Sequence, residues 1–281
     1  MNAPRARRFH QLDVFTGTAL RGNPLAVIHD AEGLDDATLA AMARWTNLSE
    51  TTFLLPPTDP AADYRVRIFT PGGELPFAGH PTLGSCQAWL LAGGRPKQAG
   101  EVIQQCGVGL VRVRREGSRL AFAAPPCRMT EVEPVQLAQV VKALGLDTDQ
   151  VRKARWLDNG PQWLALLLAD ADAVRALQPD HLALKRLAKV GVVAPQAAGE
   201  DTDFEVRGFV APIGIDEDPV TGSLNAGLAQ WLTGEGLAPT RYVAAQGSQL
   251  GRAGRVHVAQ EGDSVWIGGD VSTVIEGTVT L

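Results

Sequence analysis

Cysteine is scarce in this chain. Cys86, Cys106 and Cys127 form no C-x-x-C pair and no zinc-ligand spacing. An odd count without a secretory leader points to a reducing compartment, so a cytoplasmic location is expected. The opening residues, MNAPRARRFHQLDVF, are basic but lack the apolar run of a leader. No apolar stretch reaches the length of a membrane span, and Trp163 to Leu168 is far too short. Positive charge is not in excess. A formal net charge of −5 gives no general attraction to nucleic acid or to an anionic membrane. Low-complexity segments and like-charge blocks are missing too, which argues against a disordered or tail-driven function.

What the chain does contain is an internal repeat. Glu74 to Gly93 reads ELPFAGHPTLGSCQAWLLAG, and Glu217 to Gly236 reads EDPVTGSLNAGLAQWLTGEG. Glu74, Pro76, Gly79, Gly84, Gln87 and Gly93 match Glu217, Pro219, Gly222, Gly227, Gln230 and Gly236 without a gap. A duplicated half-molecule follows. Each copy reads as a turn entering a helix. Proline stiffens the approach, glycine permits unusual backbone angles, Pro81 suits a first helical turn, and Gly93 and Gly236 suit helix stops. The first helix has little polar face, which predicts burial on all sides.

The length of 281 residues and the 45% hydrophobic share suit two ordinary globular domains. Pro125-Pro126 is the expected boundary, giving half-domains of 1–125 and 126–265. The last strands, about 266–281, are left open as an addition to the first half. Alternation predicts strands at Phe9–Phe15, Leu25–Ile28, Thr51–Leu55, Tyr64–Phe69, within Glu101–Phe122, at Trp163–Leu168, Val190–Val193 and Phe204–Val210, and in the tail. Helical spacing predicts Asp35–Trp45, Val135–Leu144 and His181–Lys189. Strands and helices do not alternate, so the expected class is α+β rather than a doubly wound parallel sheet. Each half would be a mostly antiparallel sheet or barrel wrapped around its apolar helix.

Helix starts offer unpaired N–H groups and a partial positive charge, suited to a carboxylate or an oxyanion. Two such starts facing one cleft make the candidate active site. The repeat separates scaffold from function. Glu, Pro and Gly are shared, whereas Leu75 stands against Asp218 and His80 against Ser223. His80, Asp218 and Ser223, with Glu50 in N-L-S-E, are therefore the candidate polar residues, and Gly79 and Gly222 the backbone donors. Each has a plainer reading. Glu50 could be a solvated strand entry, His80 and Ser223 helix caps, and Asp218 a turn former. Asn23 before Pro24 is read as a turn residue, and Glu74 and Glu217 as loop supports. Ser49 lacks G-x-S-x-G surroundings and is not read as a nucleophile. Cys86 aligns with Ala229, so there is no matched thiol pair, which argues against a symmetric two-thiol racemase.

The segments FHQLDVFTGTALRGNPLAV, NLSETTFL, RIFTPGGELPFAGHPTLG and FVAPIGIDEDPVTGS resemble the PhzF, or phenazine biosynthesis-like, family across essentially the whole chain. The resemblance implies a diaminopimelate epimerase-like fold with its active site between two similar domains. It implies isomerisation of trans-2,3-dihydro-3-hydroxyanthranilate or a similar small carboxylate, with no cofactor and no metal. Family roles fall on Glu50 as the catalytic carboxylate and on His80, Asp218 and Ser223 at the site; members are commonly homodimers. One departure is Leu224-Asn225, where many paralogues carry Ala-His after T-G-S. A carboxylate acting first as base and then as acid needs a pKa raised by burial. An epimerase or racemase of a small hydroxy or amino acid, and a non-catalytic binder of small acids, remain as alternatives.

Overall fold

Period-two alternation of burial defines the strands. In Tyr64–Thr70, Tyr64, Val66 and Ile68 are buried while Arg65 and Arg67 between them stay partly exposed. The computed structural model describes residues 4–281 and divides into two compact units. Unit 1 runs up to Ala123 and includes Gly268–Leu281; unit 2 is Ala124–Ile267. The class is mixed α+β, mostly sheet with few helices.

Unit 1 contains β1 (Ala6–Val14), β2 (Asn23–Ile28), α1 (Asp36–Thr46), β3 (Glu50–Leu55), β4 (Tyr64–Thr70), β5 (Gly73–Leu75), α2 (Gly79–Leu91), β6 (Glu101–Cys106), β7 (Gly109–Glu116) and β8 (Arg119–Ala123). β1 is antiparallel to β2, and β2 is parallel to β3. β3 is antiparallel to β4, which pairs antiparallel with β5 and parallel with β6. β6, β7 and β8 form a meander. α1 starts where Asp35 accepts the Thr38 N–H at 2.8 Å, and it ends at Asn47 in a left-handed conformation. α2 carries the apolar face, with Leu83, Cys86 and Ala88 fully buried. It contacts β1, β2, β3, β6, β7 and β8. Gly84 makes this packing possible, since a Cβ there would sit 2.5 Å from Leu25 Cδ2.

Unit 2 contains β9 (Arg128–Thr130), α3 (Pro134–Ala143), β10 (Val151–Asp158), β11 (Gln162–Leu168), α4 (Ala171–Ala176), α5 (His181–Leu184), β12 (Val190–Pro195), β13 (Phe204–Phe209), β14 (Glu217–Asp218), α6 (Gly222–Gly234), β15 (Arg241–Gln246), β16 (Gly254–Glu261) and β17 (Ser264–Gly269), whose last residues belong to unit 1. β18 (Val271–Thr280) lies antiparallel beside β1. The pairing order of unit 1 recurs: β10 antiparallel to β11, β11 parallel to β12, β12 antiparallel to β13, β13 antiparallel to β14 and parallel to β15, β15 antiparallel to β16.

The repeat is visible down to its ends. α2 and α6 each have 13 residues and begin at the matched glycines Gly79 and Gly222. Both are followed by the matched Gly93 and Gly236 with φ of 92° and 68°, values that stop a helix. The helices begin earlier than the proline suggests, so Pro81 is the third helical residue, still where no N–H is needed. The matched glutamates also have matched partners. Glu74 accepts two hydrogen bonds from Arg67, and Glu217 two from Arg207. Each arginine lies over the phenylalanine two residues on, Phe69 or Phe209.

Two expectations change. The helix expected over 181–189 is only His181–Leu184; past Leu184 the chain continues in tight turns that still pack Leu187 and Ala188 on the core. β10, β15 and α4 were not foreseen. β10 places Arg152 and Lys153 in solvent, so its alternation is hidden by charge.

Candidate active site

In unit 1 the site is built from the start of β3, the start of α2 and the turn before β2. Asp13 shapes that turn by accepting the N–H groups of Arg21 and Gly22 at 2.8 and 3.0 Å. Gly22 is required there, since a Cβ would lie 2.2 Å from the Val14 carbonyl oxygen. The turn delivers Asn23, fully buried, to the His80 ring: Asn23 Nδ2 is 3.3 Å from His80 Nδ1. His80 Nε2 faces Glu50 Oε2 at 3.4 Å, with side-chain exposures of 3% and 12%. Burial drives the His80 pKa down to about 3, against a hydrogen bond to the Pro24 backbone that pulls it up. The ring is therefore neutral near pH 7 and holds one proton. The Asn23 amide nitrogen facing Nδ1 assigns that proton to Nε2, toward Glu50, while the Pro24 carbonyl is the competing acceptor for it. The tautomer is assigned from the amide orientation. The 3.4 Å contact is a neutral donor facing a carboxyl rather than an ion pair, and it lacks full hydrogen-bond geometry.

In unit 2 the segment entering α6 holds Asp218, which is 8% exposed. The Thr221 hydroxyl donates to Asp218 Oδ2 at 2.6 Å. Ser223 is buried beside it, where Trp163 Nε1 donates to Ser223 Oγ at 3.3 Å and Asn159 Nδ2 to the Ser223 carbonyl at 2.8 Å. His80 and Ser223 are not helix caps. The capping positions are Ala78 and Thr221, and neither side chain caps its helix. The N–H groups of the first turn, among them those of Gly79, His80, Gly222 and Ser223, thus have no intrahelical acceptor, and the positive helix end is left for an anion. The bond from Thr221 to Asp218 spans three residues and so also braces the turn itself.

The structure brings Glu50 and His80 together within unit 1. Asp218, Gly222 and Ser223 gather at one helix start in unit 2, as Gly79 does beside His80. Sequence reasoning missed Asn23, Thr221, Gln246, Asn225, Trp163 and Asn159. Asn23 is the clearest correction: it is a buried partner of His80 rather than only a turn residue. Its signal lay in Asn-Pro following Arg-Gly, a turn whose side chain had to point somewhere. A cavity of about 340 Å³ in unit 1 lies elsewhere, at the far ends of β3 and α2 beside Leu55 and Gly93. None of the six candidate residues lines it.

The α+β, mostly-sheet architecture defines the class: an epimerase-like fold. The profile of the family described as "Phenazine biosynthesis-like protein" matches residues 12–277, and the chain belongs to that family. It is 36% identical to antisense-enhancing sequence 1 of Schizosaccharomyces pombe, over 96% of this chain and 97% of that one. It is 33% identical to a trans-2,3-dihydro-3-hydroxyanthranilate isomerase of Pseudomonas fluorescens, over 96% and 98%. Among solved structures, a predicted epimerase of Pseudomonas aeruginosa superposes with a TM-score of 0.81 at 32% identity, covering 97% and 99%. The chain is an isomerase of this family.

Proposed function

We propose that this isomerase moves a proton within one small carboxylate-bearing substrate, with Glu50 as the acid–base group. One observation carries the reading: the two units differ at the strand position of Glu50. Thr51 pairs with Phe69 where β3 meets β4, and Val190 pairs with Phe209, the counterpart of Phe69, where β12 meets β13, so the counterpart of Glu50 is Lys189. A carboxylate in one unit answers to a lysine in the other. Taking a proton from one carbon and returning it to another needs a single such carboxylate, whereas inversion by two matched bases would need its twin.

Glu50 removes the proton and gives it back. The neutral His80 donates through Nε2 and steadies whichever form Glu50 takes. Asp218 orients a substrate amine or hydroxyl. Gly79, Gly222 and Ser223 supply helix-start donors for the substrate carboxylate or the developing anion, each worth about 3 kcal/mol of barrier lowering. The reading includes a duplicated ancestor, with each unit wrapping its sheet around its apolar helix, and a cofactor-free cytoplasmic homodimer. Trans-2,3-dihydro-3-hydroxyanthranilate, named for relatives 31–33% identical, is the first compound to test. A second reading, epimerisation of a small hydroxy or amino acid, draws on the fold shared with the predicted epimerase. A product with bonds unmoved and one centre inverted favours that second reading.

The test is incubation in D2O with this compound and with a library of small acids, read by mass spectrometry. The wild type is expected to incorporate deuterium, and Glu50→Gln to do so at least about a hundredfold more slowly. Unchanged exchange in Glu50→Gln removes Glu50 from the reaction.

A further inference from the structure

Behind Asp218 in unit 2 lies a closed set of hydrogen bonds. Gln246, the last residue of β15, is 1% exposed and uses all of its amide. Its Nε2 donates to the Asp218 carbonyl at 3.1 Å and to Thr221 Oγ1 at 2.9 Å. Its Oε1 accepts from the Thr221 N–H at 3.0 Å and from Asn225 Nδ2 at 2.9 Å. Asn225 Nδ2 also donates to the Thr221 carbonyl at 2.9 Å. The amide cannot be turned over, because each end would then meet groups of its own kind. Thr221 Oγ1 accepts from Gln246, so its single proton goes to its other neighbour, Asp218 Oδ2.

The backbone is fitted around this set. A Cβ at Gly208 would lie 3.0 Å from Thr221 Oγ1 and 3.3 Å from Gln246 Nε2. One at Gly254 would lie 2.8 Å from the Gln246 carbonyl oxygen, and one at Gly247 2.5 Å from that of Pro219. Three elements thus approach closely at the one place where the amide is read out. At the corresponding strand position in unit 1 stands Cys106: Gln246 is two residues past the partner of Phe204, and Cys106 two past the partner of Tyr64. The amide, like Asp218, is confined to one unit.

We propose that Gln246 is a positioning residue for Asp218, acting through the Thr221 hydroxyl and backed by Asn225. This rests on the reading of Asp218 as a substrate-orienting group. Gln246 touches no reacting atom. It aims the Thr221 proton at Asp218 Oδ2 and pins the Asp218 backbone, so that the carboxylate is held in one rotamer before substrate arrives. In Gln246→Glu the two accepted bonds survive, but the second carboxylate oxygen competes with Asp218 for the Thr221 proton.

Two measurements test it. The first needs no substrate. In threonine-labelled protein, NMR is expected to show a Thr221 hydroxyl proton shielded from water. In Gln246→Leu that proton exchanges at least about tenfold faster, because the hydroxyl loses the amide that fixes its rotation and is held by Asp218 alone. In Gln246→Glu its resonance moves as it turns from Asp218. The second is turnover with trans-2,3-dihydro-3-hydroxyanthranilate in D2O. Gln246→Leu, Gln246→Glu and Thr221→Val are expected to lower kcat about tenfold or more with KM within about threefold. Thr221→Ser recovers most of what Thr221→Val loses. In an Asp218→Asn background, neither Gln246 substitution lowers kcat further. An unmoved hydroxyl signal in both Gln246 variants, or a loss that multiplies that of Asp218→Asn, overturns the proposal. Should the wild type exchange nothing with this compound, the hydroxyl signal still decides Gln246, and it is the proposed function that fails.

Discussion

Glu217 holds Arg207 through both carboxylate oxygens, at 2.9 and 2.7 Å, with each side chain only 6% exposed. Glu74 holds Arg67 in the same way at 2.7 and 2.6 Å, but near the surface. Geometry is equal and environment is not, so the energies should separate. Arg207 also donates to the carbonyls of Val174 and Leu177. Arg207→Met strands a buried carboxylate and these acceptors, with an expected loss of about 3–5 kcal/mol in urea unfolding. Arg67→Met is expected to lose about 1 kcal/mol or less. Equal losses would mean that burial is not what distinguishes the two pairs.

Gly247 and Gly214 separate backbone strain from crowding. Both are left-handed, with φ of 94° and 89°. A Cβ at Gly214 would meet nothing within 4 Å, whereas at Gly247 it would lie 2.5 Å from the Pro219 carbonyl oxygen. Gly214→Ala is expected to cost about 1–2 kcal/mol, the strain alone. Gly247→Ala must also push the turn carrying Asp218, so it should cost more stability and should lower turnover. Thermal unfolding of both variants beside activity checks this; equal activity in the two would show that the turn does not move.

Much of this was legible because it was local. The repeat gave both buried helices and the glycines that bound them, and alternation gave most strands. Internal comparison picked out His80, Asp218 and Ser223 as the places where scaffold and function part. What stayed hidden was non-local. Arg67 and Arg207 belong to the repeat as surely as Glu74 and Glu217, yet the loop between strand and repeat is three residues longer in unit 2, which breaks the register. Gln246 reaches Asp218 from 28 residues away, and Asn23 reaches His80 from 57. Neither carries a spacing that a linear reading can recognise, since an amide becomes informative only when its four bonding partners are known.

Asn23 sets the His80 tautomer, and this can be measured. Ring-nitrogen NMR of the wild type is expected to show an unprotonated Nδ1 and a protonated Nε2. Asn23→Asp puts an acceptor on Nδ1, draws the proton there and turns the donor away from Glu50. Turnover should fall about tenfold or more while the fold is kept. Should the wild-type proton already sit on Nδ1, the donor role of Nε2 toward Glu50 is wrong.

His80 also ties stability to acid. Its folded pKa is held at about 3, and that of His29 at about 4, against 6.5 for the free side chain; burial is the leading cause in both. Buried His10, whose Nδ1 lies 2.8 Å from His29 Nε2, is shifted down as well. Above about pH 6.5 the rings are neutral in both states and proton binding favours neither. Below it the unfolded chain takes up protons that the folded chain refuses, so stability falls steadily toward pH 3. Its slope then fades, as the folded rings titrate too. For His80 the loss over that window is of the order of a few kcal/mol. Denaturant unfolding at a series of pH values should show the fall, and His80→Asn should flatten it while leaving the part due to His29 and His10. A variant with the same acid slope as the wild type would mean that the His80 ring gains its proton in the folded protein as easily as in the open chain, and the neutral donor assigned to it would go with that result.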